Sequence, residues 1–436
     1  MGKLEDIVSL CKRRGFIFPG SDVYGGMAGT WDFGPLGVML KRNIEQSWWN
    51  FWVDQRDDMY GVDAAIIMNP KTWQASGHVD TFNDPLIECK ECHGRFRADK
   101  LVEGATESIT TEEFLAVNPK CPTCGKQNWG EVKKFNMMFT THVGPVSDDK
   151  SIAYLRPETA QGIFTNFKNV VDTIYPDLPF GIAQIGKSFR NEISPRDFIL
   201  RDRECTQMEI EYFVRPEGWE EIFDSLLTSY HAFLEEQMGL TPEKIHDYDV
   251  PAEDRAHYSK HTIDVMFDYP NGQEELMGMA YRTDFDLTNI QKASGKNMEY
   301  RDKNTGEAFI PHVIEPSIGL ERLFLAVMAS AYWEDGDRTV LRLPENLAPY
   351  KYCVSPLLKN KPELVAKAKE VYNKLKAKYI FVTWDDSGNI GKRYKKQDEI
   401  GTPKCVVVDF DSLENDDVTV RDRDTTEQVR VKIENL

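Results

Sequence analysis

The stretch 180–213 holds arginines and carboxylates in an arrangement that could bind a charged ligand. Its periodicity predicts two strands joined by a basic loop, with Arg190 and Glu192 on one face of the first strand. The second strand alternates apolar and polar residues, and its polar face carries Glu209 and Glu211. Arginine binds phosphate in a bidentate manner, and carboxylates hold an ammonium group or a metal ion. The hairpin therefore suits an anionic ligand that bears a cationic group. A solvated face with ordinary ion pairs is the alternative.

A later strand brings a second group of such residues. Val313, Glu315 and Ser317 share one face of a strand that ends at Gly319, where a helical pattern begins. The N-terminus of a helix that follows a strand and a glycine favours anions, and Arg322 in the first helical turn adds a positive charge. The alternative is an ordinary ion pair between this arginine and a neighbouring acid.

A separate segment at about 85–135 contains two Cys-x-x-Cys pairs, formed by Cys89, Cys92, Cys121 and Cys124. Since the sequence starts without a secretion signal, we expect thiols rather than disulfides. The two pairs supply four thiolates, which is the ligand set of a tetrahedral structural zinc ion. Redox cysteines and a site that has lost its metal are the alternatives, and His93 is a weaker candidate ligand.

Length and charge limit the classes to which this chain can belong. Its 436 residues suffice for two or three domains, and a net charge of −18 argues against non-specific nucleic-acid binding over the whole surface. An RNA partner would need a local basic patch. Residues 392–396 offer four basic side chains, Arg393 among them, around Tyr394, with a solvated helix face as the alternative. No run of roughly 18 apolar residues exists, so we expect no membrane span and a cytoplasmic protein.

The elements that position these residues follow from the apolar periodicity. Helices are predicted at 4–17, from Pro35 through residue 52, and at 217–238, and a strand at 61–70. The tryptophans at positions 48, 49 and 52 exceed what a one-sided helix needs. We interpret them as part of a subunit interface rather than of a deep core.

Glycine and proline residues near 335–350 predict a boundary between two regions. The first region covers 1–340 and includes two insertions, at about 85–135 and at 214–261, of which the second is partly helical and irregular at 241–259. The second region, 341–436, alternates strands and helices as small α/β domains do.

Three stretches resemble the signature motifs of class II aminoacyl-tRNA synthetases. They are the long helix with the strand ending at Pro70, Phe-Arg-Asn-Glu at 189–192 with Arg201, and Gly-Leu-Glu-Arg at 319–322. Asp-Phe-Gly-Pro-Leu-Gly at 32–37, Ser-Gly-His at 76–78, Arg-Ala-Asp at 97–99, Arg-Pro-Glu-Thr-Ala-Gln-Gly at 156–162, Val-Ile-Glu-Pro-Ser at 313–317 and Gln-Asp-Glu-Ile-Gly-Thr-Pro at 397–403 extend the resemblance to the homodimeric glycyl-tRNA synthetase family.

The resemblance implies an α+β fold: an antiparallel class II sheet with flanking helices, a zinc-ribbon-like insertion and a C-terminal α/β anticodon-binding domain. It also implies a homodimer that attaches glycine to the 3′ end of tRNA(Gly) through a glycyl-adenylate, with ATP and Mg²⁺. The residues implied in catalysis are Arg190, Glu209 and Arg322. Those implied for ATP are Arg190, Asn191, Glu192, Leu200, Arg201, Asp202, Arg203, Glu204, Cys205, Glu275, Leu276, Gly319, Leu320, Glu321 and Arg322. Those implied for glycine are Arg97, Glu158, Cys205, Thr206, Gln207, Met208, Glu209, Glu315, Pro316, Ser317, Ile318 and Gly319.

One position departs from the family pattern. Cys205 stands where the second motif carries a phenylalanine that stacks on adenine, and its smaller side chain predicts weaker ATP binding. A class II synthetase for threonine, proline or histidine is an alternative, although the acids at 158, 209 and 315 favour glycine. An inactive homologue that serves as a binding protein is a further alternative, but it would have lost residues such as Arg190 or Arg322.

Overall fold

The computed structural model describes residues 3–148 and 151–436, so residues 1–2 and 149–150 of the predicted first region lie outside it. Its α-helices are α1 (Leu4–Arg14), α2 (Pro35–Trp49), α3 (Pro70–Ala75), α4 (His78–Thr81), α5 (Thr111–Val117), α6 (Ala160–Ile174), α7 (Trp219–Ala232), α8 (Phe285–Ser294), α9 (Leu320–Ala331), α10 (Pro362–Lys378), α11 (Ile390–Ile400) and α12 (Phe410–Asn415). Two of them, α2 and α7, continue into single π-helical turns at Asn50–Asp54 and Phe233–Gln237.

The strands fall into one large sheet, one C-terminal sheet and several small ones. They are β1 (Ile17–Pro19), β2 (Trp31–Phe33), β3 (Met59–Gly61), β4 (Asn83–Glu88), β5 (Arg95–Arg97), β6 (Lys133–Asn136), β7 (Thr140–His142), β8 (Ile152–Tyr154), β9 (Phe180–Phe189), β10 (Glu204–Val214), β11 (Ile245–Asp249), β12 (His261–Tyr269), β13 (Gly272–Thr283), β14 (Tyr300–Arg301), β15 (Ala308–Phe309), β16 (His312–Gly319), β17 (Tyr332–Asp335), β18 (Arg338–Leu341), β19 (Tyr352–Pro356), β20 (Val382–Trp384), β21 (Lys404–Val408), β22 (Asp417–Asp422) and β23 (Gln428–Lys432).

The large sheet has seven strands in the order β11-β12-β13-β16-β10-β9-β3. Its pairs are antiparallel except that the edge strand β3 runs parallel to β9. Helices α2, α7 and α9 bury the main apolar core against one face, and α6 packs a smaller core on the other. The predicted antiparallel sheet with flanking helices is therefore confirmed.

The predicted alternation along the second strand of the hairpin is also confirmed. In β10, Met208, Ile210 and Tyr212 enter the main core, whereas Glu209 and Glu211 point to the opposite face and are nevertheless buried. The first strand is shorter than predicted, because β9 ends at Phe189 and leaves Arg190 and Glu192 in the following loop.

The interpretation of the tryptophan group as an interface is wrong for two of its three members. Trp48 and Trp52 are fully buried within the chain, where Trp52 stacks on Tyr230 at 4.1 Å between ring centroids. Only Trp49 is partly exposed. The sequence does not show that α7 covers this side of α2, so the large rings predict a surface group there.

Two element predictions also need correction. The strand expected at 61–70 is limited to Met59–Gly61, after which the chain leaves the sheet. The irregular part of the 214–261 insertion contains β11, which is the edge strand of the large sheet beside β12. The side chains of this edge strand are mostly exposed, so the segment lacks an apolar pattern.

The segment that carries the four cysteines forms its own small unit. Strands β5, β4 and β6 make a three-stranded sheet, and Phe114 and Trp129 fill an apolar core that also contains Cys89 and Cys121. The C-terminal region holds a five-stranded sheet in the order β20-β19-β21-β22-β23, parallel at β19 and antiparallel from β21 onward.

The C-terminal region docks on the N-terminal helix through α11. The Glu399 carboxylate, on a 4% exposed residue, accepts from Arg13 Nε at 3.4 Å and from Arg14 Nε at 2.5 Å. The neighbouring Asp398 receives two bonds from Arg421 and one from Arg338. Across the described residues, no helix is both long and apolar enough to cross a membrane.

Candidate active site

A cavity of about 360 Å³ opens over the polar face of β10, β13 and β16. In this part of the sheet Glu209 lies opposite Ser317, so the hairpin and the β16–α9 junction meet although they are distant in sequence. Predicted site residues that line the cavity are Glu158, Arg190, Glu192, Leu200, Arg201, Asp202, Cys205, Gln207, Glu209, Glu275, Leu276, Glu315, Ser317, Gly319, Glu321 and Arg322.

Arg190 and Arg322 are two of the four arginines that line the cavity. Arg190 Nε donates to the carbonyl of Pro157 at 3.1 Å, and its guanidinium lies 5.6 Å from the ring of Phe82. Arg322 Nη1 is 3.0 Å from the Glu275 carboxylate. The charge of Glu275 outweighs burial and raises the pKa of Arg322, so this side chain is a permanent cation.

The deeper part of the cavity is lined by buried carboxylates. Glu158 precedes α6, Glu209 lies on β10 and Glu315 on β16. Thr159 donates its hydroxyl to Glu209. Oxygens of Glu209, Glu211 and Glu315 all lie within 4.8 Å of one another. A cation is therefore the complement that this group of acids needs.

Arg282 on β13 partly neutralises the acidic group. It is 1% exposed and donates to Asp286 at 2.8 and 2.9 Å and also to Glu315. The ring of Tyr258 covers the guanidinium at 3.7 Å. One buried arginine thus faces several acids, which leaves the pocket short of positive charge.

The pKa values of these acids separate according to their neighbours. Burial raises the pKa of Glu315 to about 8 against the opposing charge of Arg282. Burial also acts on Glu158, but the charge and hydrogen bond of His78, with Arg282 and Arg190, outweigh it and lower the pKa to about 2. Glu158 is therefore an ionised carboxylate at neutral pH, ready to accept an ammonium group.

The four cysteine sulfurs converge outside this cavity. Sγ of Cys89 is 3.7 Å from that of Cys124, and Sγ of Cys92 is 3.6 Å from that of Cys121. A tetrahedral ion with Zn–S bonds of about 2.3 Å holds its sulfurs roughly 3.8 Å apart, so these residues fit a zinc ion. His93 is 77% exposed and pairs with Glu88, which removes it from the candidate ligands.

Comparisons with known proteins identify the family of this chain. The family model for the tRNA synthetase class II core domain (G, H, P, S and T) matches residues 139–331, and that for an anticodon binding domain matches 351–436. The chain is 48% identical to glycine–tRNA ligase of Malacoplasma penetrans, over 99% of this chain and 96% of that protein. The chain belongs to the glycine–tRNA ligase family. Glycine–tRNA ligase of Geobacillus thermodenitrificans is also 48% identical, over 99% of this chain and 96% of its own length.

A solved structure supports the fold of this glycine–tRNA ligase family member. Prolyl-tRNA synthetase from Cryptosporidium parvum superimposes with a TM-score of 0.67 at 16% sequence identity, over 99% of this chain and 75% of that one. At this identity the likeness shows the class II synthetase architecture alone.

Several residues that the resemblance implied lie apart from the cavity of this glycine–tRNA ligase family member. Met208, Ile318 and Leu320 are fully buried in the main core, because their side chains point to the other side of the sheet or helix. Exposed Glu204 pairs with Lys187. Asn191, Arg203, Thr206 and Pro316 also stand outside the lining.

Arg97 is the one predicted glycine contact that the structure places in a second cavity, adjoining the first through Arg190 and Arg322. There it pairs with Asp84 at 2.9 Å, Asp99 at 2.7 Å and Glu107 at 2.9 Å. Its guanidinium is thus occupied by three acids, and the structure does not bring it to Glu158 or Glu315.

The sequence assigns no role to His78 and Arg282, and it gives Glu211 only a place on the polar face of β10. His78 stands in the Ser-Gly-His motif, and its Nε2 lies 3.2 Å from Glu158. Arg282 ends the strand pattern of β13, where an isolated charge in an apolar run was the available signal. Glu211 continues the acidic alternation of β10, and neither of its buried oxygens has a hydrogen-bond partner among the described residues.

The basic group at 392–396 does not form one surface. Arg393 is 2% exposed and donates to the carbonyls of Pro356, Asp386, Ser387 and Gly388, so it ties α11 to the neighbouring loop. Its interpretation as an RNA contact is wrong, while Lys392 remains exposed.

Proposed function

We propose that this chain joins glycine to the 3′ end of tRNA(Gly) in two steps, with a glycyl-adenylate between them and release of AMP and pyrophosphate. The observation that carries this proposal is the cavity itself, in which permanent arginine cations and a group of buried acids share one space. Such a space fits a ligand that pairs phosphate and carboxylate groups with an ammonium group, as glycine beside ATP does.

The acids hold the glycine ammonium in this proposal. Glu158, Glu209 and Glu315 surround the position, and Ser317 lies opposite Glu209 in the sheet. Arg190 draws the glycine carboxylate and the α-phosphate of ATP together. Since the attacking carboxylate is already an anion, the first step needs positioning and charge stabilisation rather than a general base.

The nucleotide lies towards Arg322 in this proposal. Leu200 and Leu276 give apolar contact in the cavity wall, and Glu192 is fixed by Arg201 Nε at 2.7 Å. Glu275 and Asp264 suit Mg²⁺, because burial and the Glu275 charge raise the pKa of Asp264 to about 7 and a cation would relieve that repulsion. Magnesium bound there with ATP would neutralise phosphate charge.

Selection of glycine requires only a small pocket. A pocket that fits no side chain excludes every larger amino acid by steric overlap, and no smaller amino acid competes. Discrimination against a substrate that merely lacks a methylene is much weaker. We therefore propose that the chain works without an editing domain.

The insertion at about 85–135 binds a metal ion in this proposal. The four cysteine thiolates hold a structural zinc ion, and metal analysis should give one zinc per chain. Cys124→Ser should lower that content, whereas the matched control Cys205→Ser should not.

We also propose a cytoplasmic homodimer whose residues 1–340 carry out the chemistry and whose residues 341–436 bind the anticodon.

The test is amino-acid-dependent exchange of pyrophosphate into ATP. Glycine should support exchange, and alanine, serine, threonine and proline should not. Exchange with one of these other amino acids instead would show a different synthetase. No exchange with any of them, in folded and zinc-loaded protein, would support the inactive homologue.

A further inference from the structure

A short segment beside the cavity, residues 73–82, holds an imidazole against one of the acids. His78 Nδ1 lies 2.8 Å from Ser76 Oγ, and its Nε2 lies 3.2 Å from Glu158 Oε2. The side chains of His78 and Glu158 are 11% and 12% exposed, so water screens the pair only weakly.

The imidazole has little freedom to turn away. The ring centroids of Trp73 and Phe82 lie 5.6 and 5.5 Å from the imidazole centroid, and the two rings are inclined to the imidazole by 82° and 55°. Asn136 Nδ2 donates to the carbonyls of His78 and Val79 at 3.3 and 2.9 Å, which fixes the backbone of α4. With Nδ1 engaged by Ser76, Nε2–H is the donor that faces the carboxylate.

The same segment reaches the arginine of the site. The Phe82 ring that flanks His78 also lies under the Arg190 guanidinium. Arg190 in turn donates to the carbonyl of Pro157, the residue before Glu158. Residues 73–82 therefore contact both the acid and the arginine to which the proposed reaction assigns the two ends of glycine.

We propose that His78 is a positioning residue for glycine, holding the Glu158 carboxylate in the orientation that receives the substrate ammonium, with Ser76 fixing the ring. The inference rests on the proposed function for the name of the substrate. Glu158 lies in a loop before α6, and Gln161 Nε2 is 3.4 Å from Oε1, the other carboxylate oxygen. His78 makes the shorter of these two contacts, at 3.2 Å, and together with Gln161 it sets the rotation of the carboxylate.

The test compares His78→Leu, His78→Gln and His78→Asn. Gln can place an amide N–H near the position of Nε2, whereas Asn is too short and Leu has no donor. We expect His78→Leu to raise the glycine KM about 10- to 100-fold, the effect of one lost hydrogen bond to a charged group. The ATP KM, measured at saturating glycine, should stay within about twofold, and Gln should restore the glycine KM to within roughly fivefold.

His246 provides a matched control, because its Nε2 lies 3.0 Å from Asp268 on an exposed part of β11 and β12. His246→Gln should leave both KM values unchanged. Equal effects of Leu, Asn and Gln at His78, or equal rises in the two KM values, would mean that the residue only supports packing. A glycine KM within twofold of the wild type in folded His78→Leu would also overturn the proposal.

Calorimetric titration with glycine separates this inference from the proposed activity. If the wild type binds glycine but catalyses no pyrophosphate exchange, the proposed function is wrong. A loss of glycine binding in His78→Leu would still support the positioning role of His78. Should the wild type bind no glycine at all, both proposals are overturned.

Discussion

Replacement of Cys205 by phenylalanine should strengthen ATP binding without changing glycine binding. Cys205 lines the cavity near Arg190 and Arg322, and its Sγ is 2.9 Å from Ser188 Oγ on the paired strand β9. In the motif that this stretch resembles, a phenylalanine at this position stacks on adenine. The thiol offers a much smaller apolar surface than a ring.

The size of the effect follows from the area that the ring would cover. Roughly 60 Å² of additional apolar contact, at about 25 cal/mol per Å², contributes about 1.5 kcal/mol. This value lies within the range of about 1–3 kcal/mol measured for one base stacked on an aromatic side chain. Since about 1.4 kcal/mol corresponds to a factor of ten, the ATP KM of Cys205→Phe should fall roughly tenfold.

The assay is glycine-dependent pyrophosphate exchange with ATP varied at saturating glycine, and then the reverse. Cys205→Ser is the near-isosteric control and should leave the ATP KM within about twofold of the wild type. An unchanged ATP KM in Cys205→Phe, with the thermal midpoint and glycine KM of the wild type, would refute the stacking argument. A raised glycine KM would refute it as well, since the ring would then occupy substrate space.

The remaining predictions concern charged side chains, most of which the fold buries. Burial, with the Glu315 charge, raises the pKa of Glu211 well above its usual value. Its ionisation therefore favours the unfolded chain increasingly as pH rises above about 4.5. The stability of Glu211→Gln relative to the wild type should therefore increase by up to about 1.4 kcal/mol per pH unit between pH 5 and 7. Thermal midpoints of both proteins at several pH values test this, and a stability difference that does not change with pH contradicts it. Glu399→Gln should lower the free energy of unfolding by about 1 kcal/mol. This value is small because the partners Arg13 and Arg14 are partly exposed, and the loss should shrink in high salt. Arg393→Ala should cost about 1–3 kcal/mol, mainly by leaving the buried carbonyl of Pro356 unpaired, and the thermal midpoint measures this loss. Lys392→Ala should weaken tRNA binding at an unchanged thermal midpoint.

The sequence predicts those parts of the site that depend on local periodicity. The alternation at Met208 and Glu209 follows from the two-residue repeat of a strand, and the change from β16 to α9 at Gly319 follows from a change of period. Both are confirmed because each concerns neighbours along the chain.

Contacts between distant segments are beyond such reasoning. That Glu211 would be buried depends on its neighbours from β13 and β16, and sequence spacing does not show which strands pair with β10. Trp52 looks the same in a core as in an interface until α7 is placed over it. His78 lies 80 positions before Glu158, at the start of the short helix α4. Its Ser-Gly-His motif resembles the family, but the resemblance assigns it no contact.

The pairing of Arg14 with Glu399 also bears on how the protein is made. The two residues are 385 positions apart. At a synthesis rate of about 5–20 residues per second, roughly 20 to 80 seconds separate their appearance at the ribosome. Throughout that interval the nascent helix α1 can bury its apolar side against the growing core, but its arginines stay solvated and lack Glu399 as an ion-pair partner. Helix α1 is thus completed by a residue of α11 that is synthesised 385 positions later.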